Sequence, residues 1–282
     1  MDYCLTDSEI ESLIAEDVPY GDLTTHLLGI GQLPGRIIFA TREETTLCGT
    51  EEAAQVLRKC GATVSSCLPS GTRLAPGVEF LAAHGPAGAL HIGWKVALNL
   101  LEYASGIASR TQRIVGIAGS IAPSLSVLTT RKSFPGTKRI AIKAIVAGGA
   151  LPHRLGLSET VLVFKQHTAF LGGLEAFLAT VANLRIRARE SKIIVEADTL
   201  EEALLVARSC ANIVQLDKVP PAELAKAVSA IREVNPDILI SAAGGINAAN
   251  AAEYCASGVD LMVLSAVYFG KPSDIAVSIQ PA

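Results

Sequence analysis

The stretch KIIVEADTLEEALLVARSCANIVQLDKVPPAELAKAVSAIREVNPDILIS (192–241) decides the fold. It holds three short apolar runs, KIIVE (192–196), NIVQL (212–216) and DILIS (237–241). Two segments of helical length, Leu200 to Ser209 and Ala222 to Val234, lie between them. Runs that are apolar almost throughout belong to strands buried on both faces, and a helix between successive strands makes the pairing parallel. Outward from this stretch the same rhythm returns in SVLTT (126–130), TVLVF (160–164) and DLMVL (260–264). Six such units, with room for a seventh, favour an α/β barrel, closed or nearly so; a doubly wound sheet is the alternative.

The N-terminal part reads differently. Thr6-Asp7-Ser8-Glu9 is a capping-box pattern that opens a helix to about Glu16, before Pro19 and Gly21 break it. From about Arg36 to Ala83, β-like runs (RIIFAT, 36–41; VEFLAA, 78–83) alternate with turn signals at Pro34-Gly35, Pro69-Ser70-Gly71 and Pro76-Gly77. A helical segment, Thr50 to Lys59, sits between them, and another spans about Gly93 to Ser105. This is the pattern of a small α+β domain.

Composition narrows the function. Of 282 residues 50% are hydrophobic and only 5% aromatic, so the core is aliphatic. The formal net charge is −3 and no basic run occurs, which argues against non-specific nucleic-acid binding. The weakly polar stretch from Ile114 to Leu128 is broken by Gly116, Gly119 and Pro123 and is too short for a membrane span. The opening residues MDYCLTDSEIE are acidic and lack a leader pattern, so a cytoplasmic location is expected. The six cysteines form no CxxC pair and read as reduced thiols, mostly small core residues.

In an α/β barrel the chemistry lies at the C-terminal ends of the strands. Here the first run ends in Thr129-Thr130-Arg131-Lys132, and Leu151-Pro152-His153-Arg154 follows before the second. Arg131, Lys132, His153 and Arg154 form a candidate anion cluster, since guanidinium forks take carboxylate or phosphate bidentately. Each alone would be read as a solvated surface charge. Glu196 and Asp217 end neighbouring runs and could hold a hydrated divalent cation or sugar hydroxyls. Gly244-Gly245, leading into a helix near Asn247, offers backbone N–H groups to a phosphate.

These residues carry a resemblance. TTRKSFPGTKRIAIKAIVAGGALPHRLGL (129–157), EDVPYGDLTT (16–25), KVALNLLEYASGIASRT (95–111), VEADTLEEAL (195–204), VQLDKV (214–219) and SAAGGINAANAAEYCASGVDLMVLSA (241–266) lie in the order found in quinolinate phosphoribosyltransferases, also called nicotinate-nucleotide pyrophosphorylases. The resemblance implies an N-terminal α/β sandwich followed by an open, TIM-like α/β barrel, working as a homodimer. The implied division is 1–110 for the sandwich and 111–267 for the barrel, with 268–282 packing back on the first. It implies phosphoribosyl transfer from phosphoribosyl pyrophosphate to a ring nitrogen with Mg²⁺. Arg131, Lys132, His153 and Arg154 would face the acceptor and pyrophosphate, and Glu196 and Asp217 the ribose and metal. Ala243, Gly244, Gly245, Ser265 and Ala266 would hold the 5′-phosphate, and Lys95 would reach in from the partner subunit.

The departures matter as much. The family has Arg where this chain has Lys95, Asp at Thr129, Asn at Pro152 and a histidine at Phe269. Its acceptor-binding lysine aligns with Phe164; Lys165 is next door, but neighbouring strand residues point to opposite faces. A phenyl ring in place of that cation disfavours a dicarboxylate. The pattern resembles a paralogous branch associated with molybdate uptake, and so implies an acceptor other than, or in addition to, quinolinate. A non-catalytic oxyanion or nucleotide carrier and an authentic quinolinate enzyme are the alternatives. No cysteine is needed as nucleophile.

Overall fold

The computed structural model describes Tyr3–Ala282. In chain order it contains α1 (Asp7–Asp17), α2 (Leu23–Leu28), β1 (Pro34–Thr41), β2 (Thr45–Thr46), α3 (Thr50–Lys59), β3 (Thr63–Cys67), β4 (Arg73–Leu74), β5 (Glu79–Pro86) and α4 (Ala87–Ile121). Then come β6 (Ser126–Thr129), α5 (Lys138–Ala147), β7 (Leu151–Pro152), β8 (Val161–Val163), α6 (Lys165–Thr168), α7 (Leu174–Leu178) and α8 (Val181–Arg187). The chain closes with β9 (Ile193–Ala197), α9 (Leu200–Ala207), β10 (Ile213–Asp217), α10 (Pro221–Val234), β11 (Leu239–Ala243), α11 (Ala251–Ala256), β12 (Leu261–Leu264) and β13 (Ile275–Pro281). By contacts it divides into two units, one of residues 1–112, 133–149 and 267–282, the other of 113–132 and 150–266.

The first unit is built on an antiparallel sheet of order β13-β1-β5-β3. β1 alternates as its sequence requires: Gly35, Ile37, Phe39 and Thr41 are buried while Pro34 and Arg36 face out. Ile37 and Phe39 join a core with Val56 and Leu57 of α3 and Leu90, Ala97 and Leu101 of α4. The capping box is present: the Thr6 N–H donates to Glu9 Oε2 at 2.7 Å and the Glu9 N–H to Thr6 Oγ1 at 3.3 Å. α4 is 35 residues long, far beyond the expected Gly93–Ser105. Its buried stripe, Leu90, Ala97, Leu101, Ala104, Ala108, Thr111, Ile114 and Ala118, keeps a helical spacing through the glycines. No proline interrupts it between Pro86 and Pro123.

The sequence-based boundary at 111–267 needs one correction: 133–149, with α5, counts with the first unit. The physical reason is Lys143, whose ammonium lies 2.8 Å from Glu51 and 2.6 Å from Glu52 of α3. The cysteines also depart from expectation. Only Cys48 and Cys255 are buried, while Cys67 and Cys210 are exposed; all six are free thiols. Among the described residues no helix is long and apolar enough to cross a membrane.

The second unit is a seven-stranded parallel sheet of order β7-β6-β12-β11-β10-β9-β8. All six runs picked from the sequence are strands, and the two-residue β7 is the seventh. The outer strands β7 and β8 are not paired with one another, so the barrel is open. Register sorts the side chains into two faces. Val195, Val214, Ile240 and Met262 point to the helix layer and are fully or almost fully buried. The interior face carries Ile194 and Glu196 of β9, Gln215 and Asp217 of β10, Ser241 and Ala243 of β11, and Val263 of β12. Polar residues at these inward positions build the site.

Candidate functional site

β6, β7, β9, β10 and β11 deliver their functional side chains to one edge of one sheet, because parallel strands all end on the same side. Arg131 and Lys132 follow β6 and are exposed. His153 and Arg154 follow β7, whose backbone is tied to β6 by the His153 N–H donating to Thr129 O at 2.9 Å. Pro152 is tolerated there because β7 is an edge strand. Arg154 is held below its ordinary value by partial burial and by the neighbouring Arg131 charge. His153 is pushed down by burial and by Arg154, and its buried Nε2 has no hydrogen-bond partner. Among the described residues, none of Arg131, Lys132 and Arg154 is paired with a carboxylate.

The opposite end of the barrel gives the contrast. Arg232 of α10 forms a two-pronged pair with Asp260 at 2.6 and 2.7 Å, and Asp260 also accepts the Ile240 N–H at 2.7 Å. The Arg232–Asp260 pair at the strand starts is therefore satisfied, while Arg131, Lys132 and Arg154 at the strand ends are left open. Mutually repelling cations without a counter-charge are costly for stability and suit an anionic ligand.

The acids sit on the other side of the sheet. Glu196 is pushed above the usual carboxylate range by burial, the Gln215 hydrogen bond opposes this, and the Asp217 and Asp198 charges add to it. Gln215 Nε2 donates to Glu196 Oε2 at 3.0 Å. Asp217 pairs with the ammonium of Lys218 at 3.3 Å. Among the described residues no group of three or more His, Cys, Asp and Glu gathers as a metal site. Two carboxylates on adjacent strands nonetheless create a potential that favours a cation, and Mg²⁺ typically keeps water and substrate oxygens in the rest of its shell. Glu196 and Asp217 are the residues that could hold such an ion together with a ligand.

Between the two groups lies the glycine turn. Gly244 and Gly245 have φ of +85° and +72°. A Cβ on Gly244 would stand 2.6 Å from Lys218 Cγ and 2.7 Å from Asp217 Oδ1. Lys218 itself is left-handed at φ 57°, with its N–H donating to Ala243 O at 2.7 Å. Strain of this kind concentrates where a ligand is held. The expected helix near Asn247 starts later, at Ala251. Asn247 and Asn250 bond their own backbone instead, forming a side-chain-closed turn. Any anion contact here rests on the glycine N–H groups and not on a helix dipole. Ser265 and Ala266 follow β12 and are partly exposed.

Phe164 continues β8 in extended conformation, which turns it to the same face as Glu196. Its ring packs on His167 with centroids 4.6 Å apart. Lys165 does not replace the missing inward cation: it begins α6 and pairs with Asp198 at the end of β9. Lys95 belongs to the first unit, on α4, with its ammonium 4.9 Å from the Trp94 ring centre. It borders a groove of about 480 Å³ with Asp22 and His91. Phe269 lines another groove of that unit, about 700 Å³ and mostly apolar. Reading strand ends alone missed Gln215 and Ser241. Both stand two residues before a chosen position, so the alternation of strand side chains was the available signal.

Two family models cover the chain: the quinolinate phosphoribosyl transferase N-terminal domain matches 22–105 and the C-terminal domain 107–278. The chain is 42% identical over 252 residues to ModD of Rhodobacter capsulatus, a pyrophosphorylase by name, covering 89% of this chain and 96% of the relative. It is 30% identical to the carboxylating nicotinate-nucleotide pyrophosphorylase of Rattus norvegicus, over 93% of this chain and 86% of the relative. The crystal structure of NadC from Streptococcus pyogenes superposes with a TM-score of 0.88 at 23% identity, covering 99% of both chains.

Proposed function

Because the chain belongs to the quinolinate phosphoribosyltransferase family, we propose that it transfers phosphoribosyl from phosphoribosyl pyrophosphate to a ring nitrogen of a heterocycle other than, or in addition to, quinolinate. The observation that carries this reading is the segregation of charge on one sheet edge: unpaired Arg131 and Arg154, then the Gly244-Gly245 turn, then Glu196 and Asp217. A ligand with an anionic end, a phosphate and a sugar diol matches that order.

In this reading Glu196 and Asp217 fix the ribose through its hydroxyls. The backbone around Ala243, Gly244, Gly245, Ser265 and Ala266 holds the 5′-phosphate. Arg131, Lys132, His153 and Arg154 bind the pyrophosphate and the acidic edge of the acceptor. The anomeric C–O bond breaks with its electron pair leaving on pyrophosphate, and the ring nitrogen lone pair forms the new C–N bond. Fixed cations stabilise the charge that grows on the leaving group without reorganising. Glu196 and Asp217 would hold Mg²⁺, which when bound would supply further neutralisation of that group. Lys95 completes the site of a partner subunit in a cytoplasmic homodimer. Phe164, inward where a second cation would serve a dicarboxylate, supports an acceptor with a smaller anionic charge. The likeness to the molybdate-associated branch supports a setting in molybdenum utilisation.

The test is pyrophosphate release across a panel of nitrogen heterocycles, quinolinate included, with Mg²⁺ present. Turnover is expected with at least one monoanionic or neutral heterocycle, and Arg131→Ala should lower kcat/KM roughly a hundredfold or more. No turnover across the panel, or a near-wild-type rate for Arg131→Ala, would overturn the assignment.

A further inference from the structure

The interior face holds a polar row that includes Glu196 and lies one step below Asp217. Glu196, Gln215 and Ser241 are register partners on three adjacent strands, so their side chains point to the same side. Gln215 is 5% exposed and Ser241 0%. Gln215 Oε1 and Ser241 Oγ are buried without a hydrogen-bond partner. An ionised carboxylate can only accept, so the 3.0 Å contact to Glu196 Oε2 must use the Gln215 amide nitrogen. With the amide placed this way its oxygen is the atom without a partner. Buried polar atoms of this kind are rare, because each forfeits its hydration without return. Asp217 and Ala243, in the next row toward the mouth, are two residues on from Gln215 and Ser241, on the same face.

We propose that Gln215 and Ser241 form the floor of the sugar subsite, taking an O–H donor from the bound ribosyl ligand. Gln215 has a second task as a positioning residue: its amide pins one oxygen of Glu196 and leaves the other for ligand. This inference rests on the phosphoribosyl reading and deepens it. A ribose hydroxyl suits the floor because it donates to Gln215 Oε1 and can also exchange a hydrogen bond with Ser241 Oγ. A carboxylate or phosphate oxygen does not, since it has no proton for the amide oxygen. A trapped water bridging the same two atoms has the same O–H chemistry, and the experiment separates the two sources.

The measurement is titration calorimetry with Mg²⁺, using two probes: phosphoribosyl pyrophosphate and inorganic pyrophosphate, which lacks the sugar. Gln215→Met keeps the side-chain volume, Ser241→Ala removes the hydroxyl, and Ser241→Thr restores it. The Met and Ala variants should bind phosphoribosyl pyrophosphate about tenfold more weakly and inorganic pyrophosphate within about twofold of the parent, with Ser241→Thr recovering most of the loss. Thermal melting of the ligand-free variants guards against misfolding; Ser241→Ala should melt no lower than the parent, since it removes an orphaned group. The floor is overturned if both affinities stay unchanged, or if both fall together, the outcome for a structural water or a general disturbance. If the parent binds inorganic pyrophosphate but not phosphoribosyl pyrophosphate, the phosphoribosyl reading fails first and the floor with it.

Discussion

Gly244 and Phe164 carry the sharpest single-residue consequences. At Gly244 the left-handed backbone and the 2.6 Å approach of Lys218 Cγ leave no room for a methyl group. Gly244→Ala should lose about 1–2 kcal/mol from conformation alone, more as Asp217 and Lys218 are displaced. Urea unfolding checks the stability, and calorimetry with phosphoribosyl pyrophosphate should show a weaker complex. Gly245 has a similar φ but open space around its missing Cβ, so Gly245→Ala should cost less. In the proposed reaction Phe164 is the residue expected to set acceptor charge. Phe164→Lys puts an ammonium on the face that carries Glu196 and should improve quinolinate binding about tenfold or more relative to a monocarboxylate analogue. Competition binding with the two pyridines reads that ratio; an unchanged ratio would remove Phe164 from acceptor selection.

At the scale of elements, α3 and α5 are joined by one buried cation and two acids. The Lys143 side chain is 11% exposed and that of Glu52 only 2%. Lys143→Met strands a buried carboxylate and should cost about 3 kcal/mol in denaturant unfolding, with Glu52→Gln in the same chain restoring part of it. The pair also sets acid stability. Burial alone would raise Glu51, but hydrogen bonds from Lys143 and Ser70 outweigh it and hold the carboxyl at about 2. A folded-state value below the ordinary 4.5 stabilises above that pH, and the contribution fades as pH falls toward 2. The urea midpoint should therefore drop between pH 4.5 and 2, and Glu51→Gln should flatten that part of the profile. α4 teaches a different lesson. Its glycines lower helix propensity by about 1 kcal/mol each relative to Ala, yet a continuous buried stripe carries the helix to Ile121.

For the whole molecule, the first unit is not a contiguous segment. β13 lies along β1 from Gly35 opposite Pro281 to Thr41 opposite Ile275. Removing Ile275–Ala282 would strip that edge and take Ile275, a core residue, out of the packing. The truncated chain should lose the first unit's unfolding transition, or aggregate through β1, while circular dichroism still reports the parallel-sheet unit. Two unshifted transitions would show that β13 contributes no stability. The barrel unit has its own division of labour, with the Arg232–Asp260 pair satisfied at the strand starts and Arg131 and Arg154 open at the strand ends.

The sequence by itself determined the barrel strands, their parallel order and the positions of Arg131, Glu196, Asp217 and Gly244. Those depend on local apolar runs and on where each run stops, which are written residue by residue. It also carried the alternation that turns Lys165 away from the interior, and the family pattern in which Phe164 stands out. Only the tertiary structure decided that α5 belongs with the first unit, that β13 completes its sheet, and that Gln215 and Ser241 share a row with Glu196. Each of these is a pairing between segments far apart in the chain, fixed by strand register and by a buried ion pair. Local propensity holds no record of which distant partner a side chain will meet.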